Sequence, residues 1–178
     1  MKKVLLIIAG GIAALIILIF AVGSMLSERI DARVSLTLAS PPDKVWAAIS
    51  DYEKHPMAGA QRRTTEKQPD EAGLPVWIEN LGSSRVTIRT AAATAPSHVK
   101  RVMTDSIVPL TVTWEIHVEP TPTGGSRISA TGENVIRSGT WHVPIFRVIM
   151  RLGGAEKGLR DYWSSVAQTL GESPQFTQ

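Results

Sequence analysis

The fold class follows from residues 110–119, which read LTVTWEIHVE. Apolar and polar side chains alternate throughout this stretch, which is typical of a strand with one buried and one solvent-facing side. A Pro/Gly-rich turn follows at residues 120–125, and residues 126–136 (SRISATGENVI) resume the alternation. The whole stretch therefore predicts an antiparallel hairpin with a single apolar face.

Further strands are predicted on the N-terminal side of this hairpin. A short helix is also predicted there, running to about residue 50, because Ser40 precedes Pro41 and Pro42 and Asp43 follows. The remaining strand-like runs are residues 32–39, 62–67, 76–81, 85–94 and 98–105.

On the C-terminal side, residues 145–170 predict one long helix. Three glycines, Gly153, Gly154 and Gly158, lie inside it, and each costs about 0.5–1 kcal/mol relative to Ala. They either leave room for a cavity or a bend, or they allow close packing against the sheet. The residues at helical spacing on its apolar face are Val148, Leu152, Ala155, Leu159, Tyr162 and Val166.

The predicted fold class is α+β. A curved antiparallel sheet wraps around the long C-terminal helix, a helix-grip arrangement, because that helix is the element long enough to cover the apolar face of the sheet. The folded domain is expected at residues 32–171, followed by a disordered tail at residues 172–178.

One N-terminal transmembrane helix is predicted before this domain. Residues 4–22 (VLLIIAGGIAALIILIFAV) carry no charged side chain and span about 28 Å as a helix, close to the thickness of a bilayer core. The alternative is a cleaved signal peptide, but its apolar region has roughly 7–15 residues. The expected boundaries are a cytoplasmic segment at residues 1–3, an anchor at residues 4–24 and a linker at residues 25–31.

Charge predicts the orientation of this span. Lys2 and Lys3 precede it, so the positive-inside rule places the N-terminus in the cytoplasm and the domain outside it, in the periplasm of a Gram-negative cell. The formal net charge is +3, without a basic stripe interleaved with aromatic residues, which argues against a nucleic-acid partner. The chain has no cysteine, which excludes disulfides and thiolate metal sites.

Three stretches resemble a known superfamily: residues 39–56 (ASPPDKVWAAISDYEKHP), 113–136 (TWEIHVEPTPTGGSRISATGENVI) and 145–152 (IFRVIMRL). They are similar to the START-like, or SRPBCC, superfamily, and within it to the bacterial polyketide-cyclase/dehydrase-like branch. The likeness spans roughly residues 32–171. It implies a helix-grip fold with an apolar pocket for lipids, quinones or polyketides. Met57 follows Pro56 where many members soon have a tryptophan, so no ligand contact is carried over to that position.

The expected pocket lies between the sheet and the C-terminal helix. Asn134 is the polar exception on an otherwise apolar strand face; its amide meets either a ligand carbonyl or a partner on the helix, or a bulge at Gly132 turns it away. Arg101 is a further candidate for orienting a ligand. The predicted pocket residues are Ile88, Met103, Trp114, Ile116, Asn134, Trp141, Leu152, Leu159 and Tyr162.

The sequence carries no complete catalytic or metal motif. Its histidines, His55, His98, His117 and His142, lack the spacing of a zinc site, and His117 is expected to face solvent. His142, beside the expected cleft, and Glu79 are weak candidates for a pocket acid or base. No cofactor or metal is expected.

Three functions remain open from the sequence. The first is a membrane-tethered binding or carrier module for a lipid-, quinone- or polyketide-like molecule. The second is a cyclase/dehydratase-type enzyme that uses a single pocket acid or base, and the third is an interaction protein whose cleft is filled by its own side chains. The sequence favours the first because it lacks a nucleophile–base set; it does not determine the ligand, the oligomeric state or whether the N-terminal segment is cleaved.

Overall fold

A computed structural model describes residues 2–59 and 61–177, apart from the side chain of Leu5. Met1, in the expected cytoplasmic segment, and Gln178, in the expected tail, lie outside the described residues. The first element is α1 (Lys2–Met25), an apolar helix long enough to cross a bilayer, and its most apolar stretch is not buried against the rest of the chain.

Eight strands form one antiparallel sheet in the spatial order β2-β3-β4-β5-β6-β7-β1-β8. The alternating runs of the sequence correspond to β1–β7, whereas β8 carries no such pattern. The strands are β1 (Arg29–Leu38), β2 (Thr64–Glu71), β3 (Leu74–Asn80), β4 (Arg85–Thr94), β5 (His98–Asp105), β6 (Leu110–Pro120), β7 (Ser126–Ile136) and β8 (Gln175–Thr177).

The β6–β7 hairpin has the predicted apolar face. Val112, Trp114, Ile116 and Val118 of β6 are all buried, and Trp114 lies opposite Gly132 of β7. A Cβ on Gly132 would lie 3.3 Å from the Trp114 indole. The missing side chain at Gly132 therefore lets the indole pack closely against the β7 backbone.

Four helices accompany the sheet: α1, α2 (Pro42–Ser50), α3 (Val143–Ile149) and α4 (Ala155–Thr169). The long helix predicted over residues 145–170 is divided, because a π-helical turn at Met150–Gly154 separates α3 from α4. Gly153 in this turn has φ +108°, a conformation that glycine adopts without a steric penalty. The chain changes direction there, so the side chains of α3 do not continue the apolar stripe of α4.

Two ends of the domain differ from the prediction. β1 begins at Arg29 rather than at residue 32, which leaves residues 26–28 between α1 and β1. The tail is not disordered over Gln175–Thr177, because β8 pairs with β1 and places Phe176 opposite Leu36. The Arg160 guanidinium lies 4.7 Å from the Phe176 ring centroid. This cation–π contact helps to hold the end of the chain on the sheet.

The start of α2 also differs in its details. The helix begins at Pro42 as predicted, but the residue before it, Pro41, caps it without a side-chain hydrogen bond. Ser40 does not cap the helix; its backbone N–H donates to the Glu172 carboxylate at 3.1 Å, and Ala39 N–H donates to the same group. Glu172, after α4, thus ties the end of β1 to the end of the last helix.

The core lies between the concave face of the sheet and α2 and α4. Its members include side chains from both layers, among them Leu36, Ile88, Ile116, Ile128, Leu159 and Trp163, all with 0% exposure. This arrangement confirms the predicted α+β helix-grip fold with an apolar helix before it.

Candidate ligand-binding cavity

A cavity of about 450 Å³ lies between the sheet and the α3–α4 segment. Its volume falls in the range of small-molecule sites, about 300–1,000 Å³. Its walls are mainly apolar, and they come from strands β4–β7, from three loops and from the helices. The lining residues are Met57, Ala58, Gln61, Leu81, Val86, Met103, Asp105, Val108, Leu110, Val112, Trp114, Asn134, Phe146, Met150, Gly154, Ala155 and Gly158.

Two glycines, Gly154 and Gly158, line this space at the start of α4. Gly158 is exposed, and a Cβ there would meet nothing within 4 Å, so it lies at the mouth of the cavity. A Cβ on Gly154 would press against the Ile149 carbonyl oxygen at 2.9 Å. Together with the bend at Gly153, these residues provide both the cavity and the change of direction, two of the alternatives that the sequence left open.

The rest of α4 packs without a gap. Leu159, Tyr162, Trp163, Val166 and Ala167 are all buried and belong to the core. We refer to the part of the cleft covered by these residues as the packed half, and to the part covered by α3, the π-helical turn, Ala155 and Gly158 as the open half. Trp114 marks the boundary, because it lines the cavity and meets Tyr162 edge to face at 5.2 Å between ring centroids.

Of the predicted pocket residues, Met103, Trp114 and Asn134 lie at the cavity. A second group, Ile88, Ile116, Leu159 and Tyr162, is buried beside it in the core and does not line it. As predicted, Ile88 and Ile116 lie on the buried face of the sheet, and Leu159 and Tyr162 lie on the buried face of α4. They do not line the cavity because side chains of α4 fill the cleft at their level.

The placement of Trp141 and Leu152 in the pocket is wrong. Trp141 is 73% exposed and Leu152 is 82% exposed. Leu152 lies in the π-helical turn with φ −79° and ψ +17°, outside helical geometry. The bend rotates it off the apolar stripe of α4, on which the predicted continuous helix had placed it.

Asn134 contributes a polar atom to the cavity wall. Its Nδ2 donates to the Ile30 carbonyl at 3.0 Å and to the Gly132 carbonyl at 3.4 Å. Among the described residues, none donates a hydrogen bond to its Oδ1. The amide N–H groups of Asn134 therefore have protein partners, which argues against the expected bond from them to a ligand carbonyl. The Oδ1 of Asn134 can instead accept a hydrogen bond from a ligand O–H or N–H.

Glu79 holds one wall of the cavity and does not face into it. Its carboxylate accepts hydrogen bonds from Met57 N–H at 2.9 Å, Ala58 N–H at 2.8 Å and Trp77 Nε1 at 3.0 Å. The side chain is 0% exposed. With its oxygens engaged by three donors, Glu79 fixes the loop that carries Met57 and Ala58, and it is badly placed for the acid/base role predicted for it.

Arg101 and Tyr162 form a buried polar pair behind the cavity wall. Arg101 donates from Nη2 to the Ile49 carbonyl at 2.7 Å and from Nη1 to Met57 Sδ at 3.6 Å. Its guanidinium also lies 5.2 Å from the Trp77 ring centroid. Burial raises the pKa of Tyr162, and nearby Arg101 offsets part of this increase. The phenol therefore stays protonated at neutral pH.

The predicted catalytic candidate His142 is also outside the cavity. It precedes α3, and its Nε2 lies 3.2 Å from Thr140 Oγ1. His55 is 1% exposed, and neither of its ring nitrogens has a hydrogen-bond partner among the described residues. Burial lowers the pKa of His55, so its imidazole is neutral at physiological pH. Neither histidine places an acid or base at the cavity.

Three residues from two neighbouring strands, His98, Glu115 and His117, lie close together on the outer face of the sheet. His98 of β5 lies directly opposite His117 of β6, with ring centroids 4.7 Å apart. His98 Nε2 is 3.1 Å from the Glu115 carboxylate. The sequence spacing of the histidines did not reveal this set, because it depends on the register between the two strands.

A larger depression, about 540 Å³, lies over the β1–β8 edge, lined in part by Thr37, Thr121 and Glu172. The Glu172 carboxylate is already engaged by the N–H groups of Ala39 and Ser40. Because most of its lining side chains are polar and its carboxylate already has partners, this depression fits a hydrophobic ligand less well than the apolar cavity does.

Solved structures of the same architecture match most of the chain. A conserved protein from Geobacillus kaustophilus is 12% identical, with a TM-score of 0.65 over 84% of this chain and 100% of that one. An aromatase/cyclase from Streptomyces sp. R1128 is 16% identical, with a TM-score of 0.62 over 78% and 91%. A START superfamily protein from Mycobacterium smegmatis is 9% identical, with a TM-score of 0.58 over 80% and 98%. No protein-family profile and no curated protein matches the sequence.

Proposed function

We propose that this chain, which has the START-like helix-grip fold, is a membrane-tethered binding or carrier module for a hydrophobic small molecule. The observation that carries the proposal is the apolar cavity of about 450 Å³ in the open half of the cleft. Burial of apolar ligand surface, at about 25 cal/mol per Å², supplies the driving force for binding.

The cavity also sets the polarity of its ligand. Apolar side chains such as Met103, Val112 and Phe146 form most of its walls, and the acceptor Oδ1 of Asn134 lies among them. A ligand that is mostly apolar and carries one hydroxyl or N–H donor matches this surface. Such a donor would satisfy an acceptor that has no other partner among the described residues.

The geometry supports binding more than catalysis. His142 and Glu79 do not line the cavity. Asp105 does, but its Oδ1 accepts hydrogen bonds from the N–H groups of Ile107 at 2.7 Å and Val108 at 2.9 Å. The remaining alternative, a cleft filled by the protein itself, describes the packed half and not the open half.

Membrane tethering is the second part of the proposal. α1 is long and apolar enough to cross a bilayer, and Lys2 and Lys3 lie before its apolar core. The positive-inside rule then places the domain on the extracytoplasmic side. A domain held at the bilayer would take up its ligand where hydrophobic molecules are concentrated.

Native mass spectrometry of the full chain, extracted in detergent, tests the binding function. We expect a co-purified small molecule on the wild-type protein. Gly158→Phe places an aromatic ring at the mouth of the cavity and should abolish retention, whereas Gly158→Ala, the matched control, adds one methyl group and should retain the molecule. Both variants should stay folded, which circular dichroism checks.

A bound mass that Gly158→Phe leaves unchanged would place the molecule outside the cavity and contradict the proposal. An entirely ligand-free wild-type protein is then challenged with N-phenyl-1-naphthylamine, an apolar probe with one N–H donor. Failure of this probe to bind as well would favour the interaction-protein alternative.

A further inference from the structure

The end of α1 and the start of α3 share a buried joint. A Cβ on Gly23 would collide with the backbone of Pro144, so the two helices touch at their backbones. Arg147, 3% exposed, donates from Nη1 to the Leu26 carbonyl at 3.5 Å and from Nη2 to the Glu28 carboxylate at 2.9 Å. α3 therefore lies at the point where the proposed membrane span ends.

The loop between β5 and β6 lies at the same end of the domain. Ile136 N–H donates to the Glu28 carbonyl at 2.8 Å, and the next residue, Arg137, donates from its N–H to the Pro109 carbonyl at 2.9 Å. The C-terminal end of β7 therefore lies between this loop and the joint and is hydrogen-bonded to both. The loop, α3 and the end of α1 form one continuous surface.

This surface exposes large apolar side chains. Over residues 26–59 and 61–177, the large hydrophobic residues that are strongly exposed are Ile107 at 55%, Trp141 at 73%, Ile149 at 55% and Leu152 at 82%. Ile107 belongs to the β5–β6 loop, and the other three lie within or beside α3 and its π-helical turn. Scattered exposed residues need no explanation, but here they share one end of the molecule.

We propose that Ile107, Trp141, Ile149 and Leu152 form a rim that is immersed in the interfacial region of the bilayer, so that the cavity opens toward lipid. The inference rests on the proposed membrane tether. The same elements carry the walls of the cavity, namely Val108 and Leu110 after the loop and Phe146 and Met150 in α3 and the π-helical turn. A hydrophobic ligand can then pass between bilayer and cavity without crossing water.

The polar residues of the rim fit this occupant. Arg137 and Arg151 are exposed beside the apolar side chains, and a guanidinium pairs well with the phosphate of a lipid headgroup. Trp141 has the side chain that is enriched at the level of lipid headgroups. A membrane surface accounts for both the apolar and the cationic residues of this end.

Quenching of tryptophan fluorescence tests the rim. The full chain is placed in nanodiscs with lipids brominated near the headgroup, and wild type is compared with Trp141→Phe. We expect quenching in wild type that is largely lost in Trp141→Phe, because the other tryptophans are at least partly buried in the domain. Equal quenching of both proteins would overturn the rim, whatever the cavity binds.

The path of entry is tested with N-phenyl-1-naphthylamine added to the same nanodiscs. Energy transfer from tryptophan to the probe reports loading, with Gly158→Phe as the blank for probe that stays in the lipid. The Ile149→Glu/Leu152→Glu double variant should load several-fold more slowly to the same end point, and Gln168→Glu, exposed on α4, should load like wild type. An unchanged loading rate in the double variant would contradict the proposed rim. If wild type does not load the probe at all, the proposed binding function itself is contradicted.

A second inference comes from the outer face of the sheet. The donor atoms of His98, Glu115 and His117 lie within 4.8 Å of one another. Two imidazoles and one carboxylate form the donor set of zinc sites that keep an open coordination position. The three residues are carried by adjacent strands with fixed register, His98 opposite His117. Small side-chain rotations at this solvent-accessible position bring the donors to metal-ligand distances.

We infer that His98, Glu115 and His117 bind a divalent transition-metal ion, Zn²⁺ in the first place, with water as the fourth ligand. The neighbouring cation, Lys100, is 3.9 Å from Glu115 and is 41% exposed, so it can turn into solvent when the metal enters.

Isothermal titration of the untagged, chelator-treated full chain with Zn²⁺ tests this site, and Co²⁺ absorption reports its geometry. We expect one ion per chain and a loss of affinity of about tenfold or more in His98→Gln and in His117→Gln. His142→Gln, a histidine distant in sequence from the set, is the control and should bind like wild type. Absence of binding, or binding that the His98 and His117 variants do not weaken, would overturn the site.

Discussion

The open half and the packed half of the cleft are covered by consecutive turns of the same chain segment, yet they fill it differently. In the open half the segment contributes Phe146, Met150, Gly154, Ala155 and Gly158 to the lining, and a cavity of about 450 Å³ remains. In the packed half it contributes Leu159, Trp163, Val166 and Ala167, which have 0% exposure, and Tyr162, which is 4% exposed. The bend before α4 and the small residues at its start distinguish the two halves.

This contrast separates two tasks within one small domain. The packed half supplies the buried apolar area that stabilises the fold, and its close packing makes every missing atom costly. The open half gives up part of that area, and the loss leaves a space that a ligand can occupy. Substitutions in the two halves should therefore have different costs, and three predictions test this in order of decreasing effect. A fourth and smaller effect concerns the pH dependence of stability.

The largest effect is expected in the packed half. Trp163 is 0% exposed, so Trp163→Ala should lower the free energy of unfolding by about 3–5 kcal/mol. Trp163→Phe retains most of the apolar volume and removes an Nε1 that has no partner among the described residues, so its cost should be much smaller. Urea denaturation of the full chain in detergent micelles measures both; equal losses would show that packing is not the cause.

A matched pair of valines on β6 compares the halves directly. Val118, 2% exposed, does not line the cavity, whereas Val112, 7% exposed, does. Val118→Ala should cost about 2 kcal/mol, from lost transfer energy and a new void. Val112→Ala should cost about 1 kcal/mol or less, because its methyl groups already border empty space. The comparison fails if the two losses in urea denaturation are the same.

A pair of glycines gives a smaller effect of opposite sign. Gly158→Ala should stabilise the domain by about 1 kcal/mol, because alanine favours the helix and its Cβ meets open space. Gly132→Ala should destabilise it by a similar amount, about 1 kcal/mol, because its Cβ would lie 3.3 Å from Trp114 and 3.4 Å from Leu159. Thermal unfolding of the two variants, measured side by side, shows whether each substitution stabilises or destabilises the domain. Stabilisation by both would mean that Trp114 can move aside for the new methyl group at residue 132.

The smallest expected effect is on the pH dependence of stability, and it comes from one buried residue, His55. Burial lowers the pKa of His55, so below about pH 6.5 the unfolded chain binds a proton that the folded chain does not. At higher pH the contribution of His55 to the free energy of unfolding should be constant. It should decrease as the pH falls toward the pKa of His55 in the folded protein. In urea denaturation at pH 7.5 and pH 5.5, His55→Phe should lose less stability than wild type, and His142→Phe should behave like wild type.

Periodicity in the sequence was sufficient for the layers of the fold. The alternation of residues 110–119 predicted the buried face of β6, and the same signal located β1–β7. It could not predict β8, because Gln175–Thr177 is too short to show a period and is held by pairing with β1 and by Arg160.

The cavity was only partly predictable. Met103, Trp114 and Asn134 were identified from strand phase, which depends on local sequence. The loop residues Met57 and Val108 have no periodic signal, and their positions depend on Glu79 and Asp105, which accept hydrogen bonds from the backbones of these loops. The error at Leu152 has one source: a regular helical period was extended through Gly153, where the backbone turns.

The joint around Arg147 has a consequence for where the protein can act. Residues 26–28 are all that connect α1 to β1, and even fully extended they span only about 10 Å. In the proposed membrane-tethered arrangement, the domain therefore cannot reach across to another membrane or swing far from its own. Exchange of the proposed ligand would then happen within one leaflet plane, through encounters set by lateral diffusion of the anchored molecule.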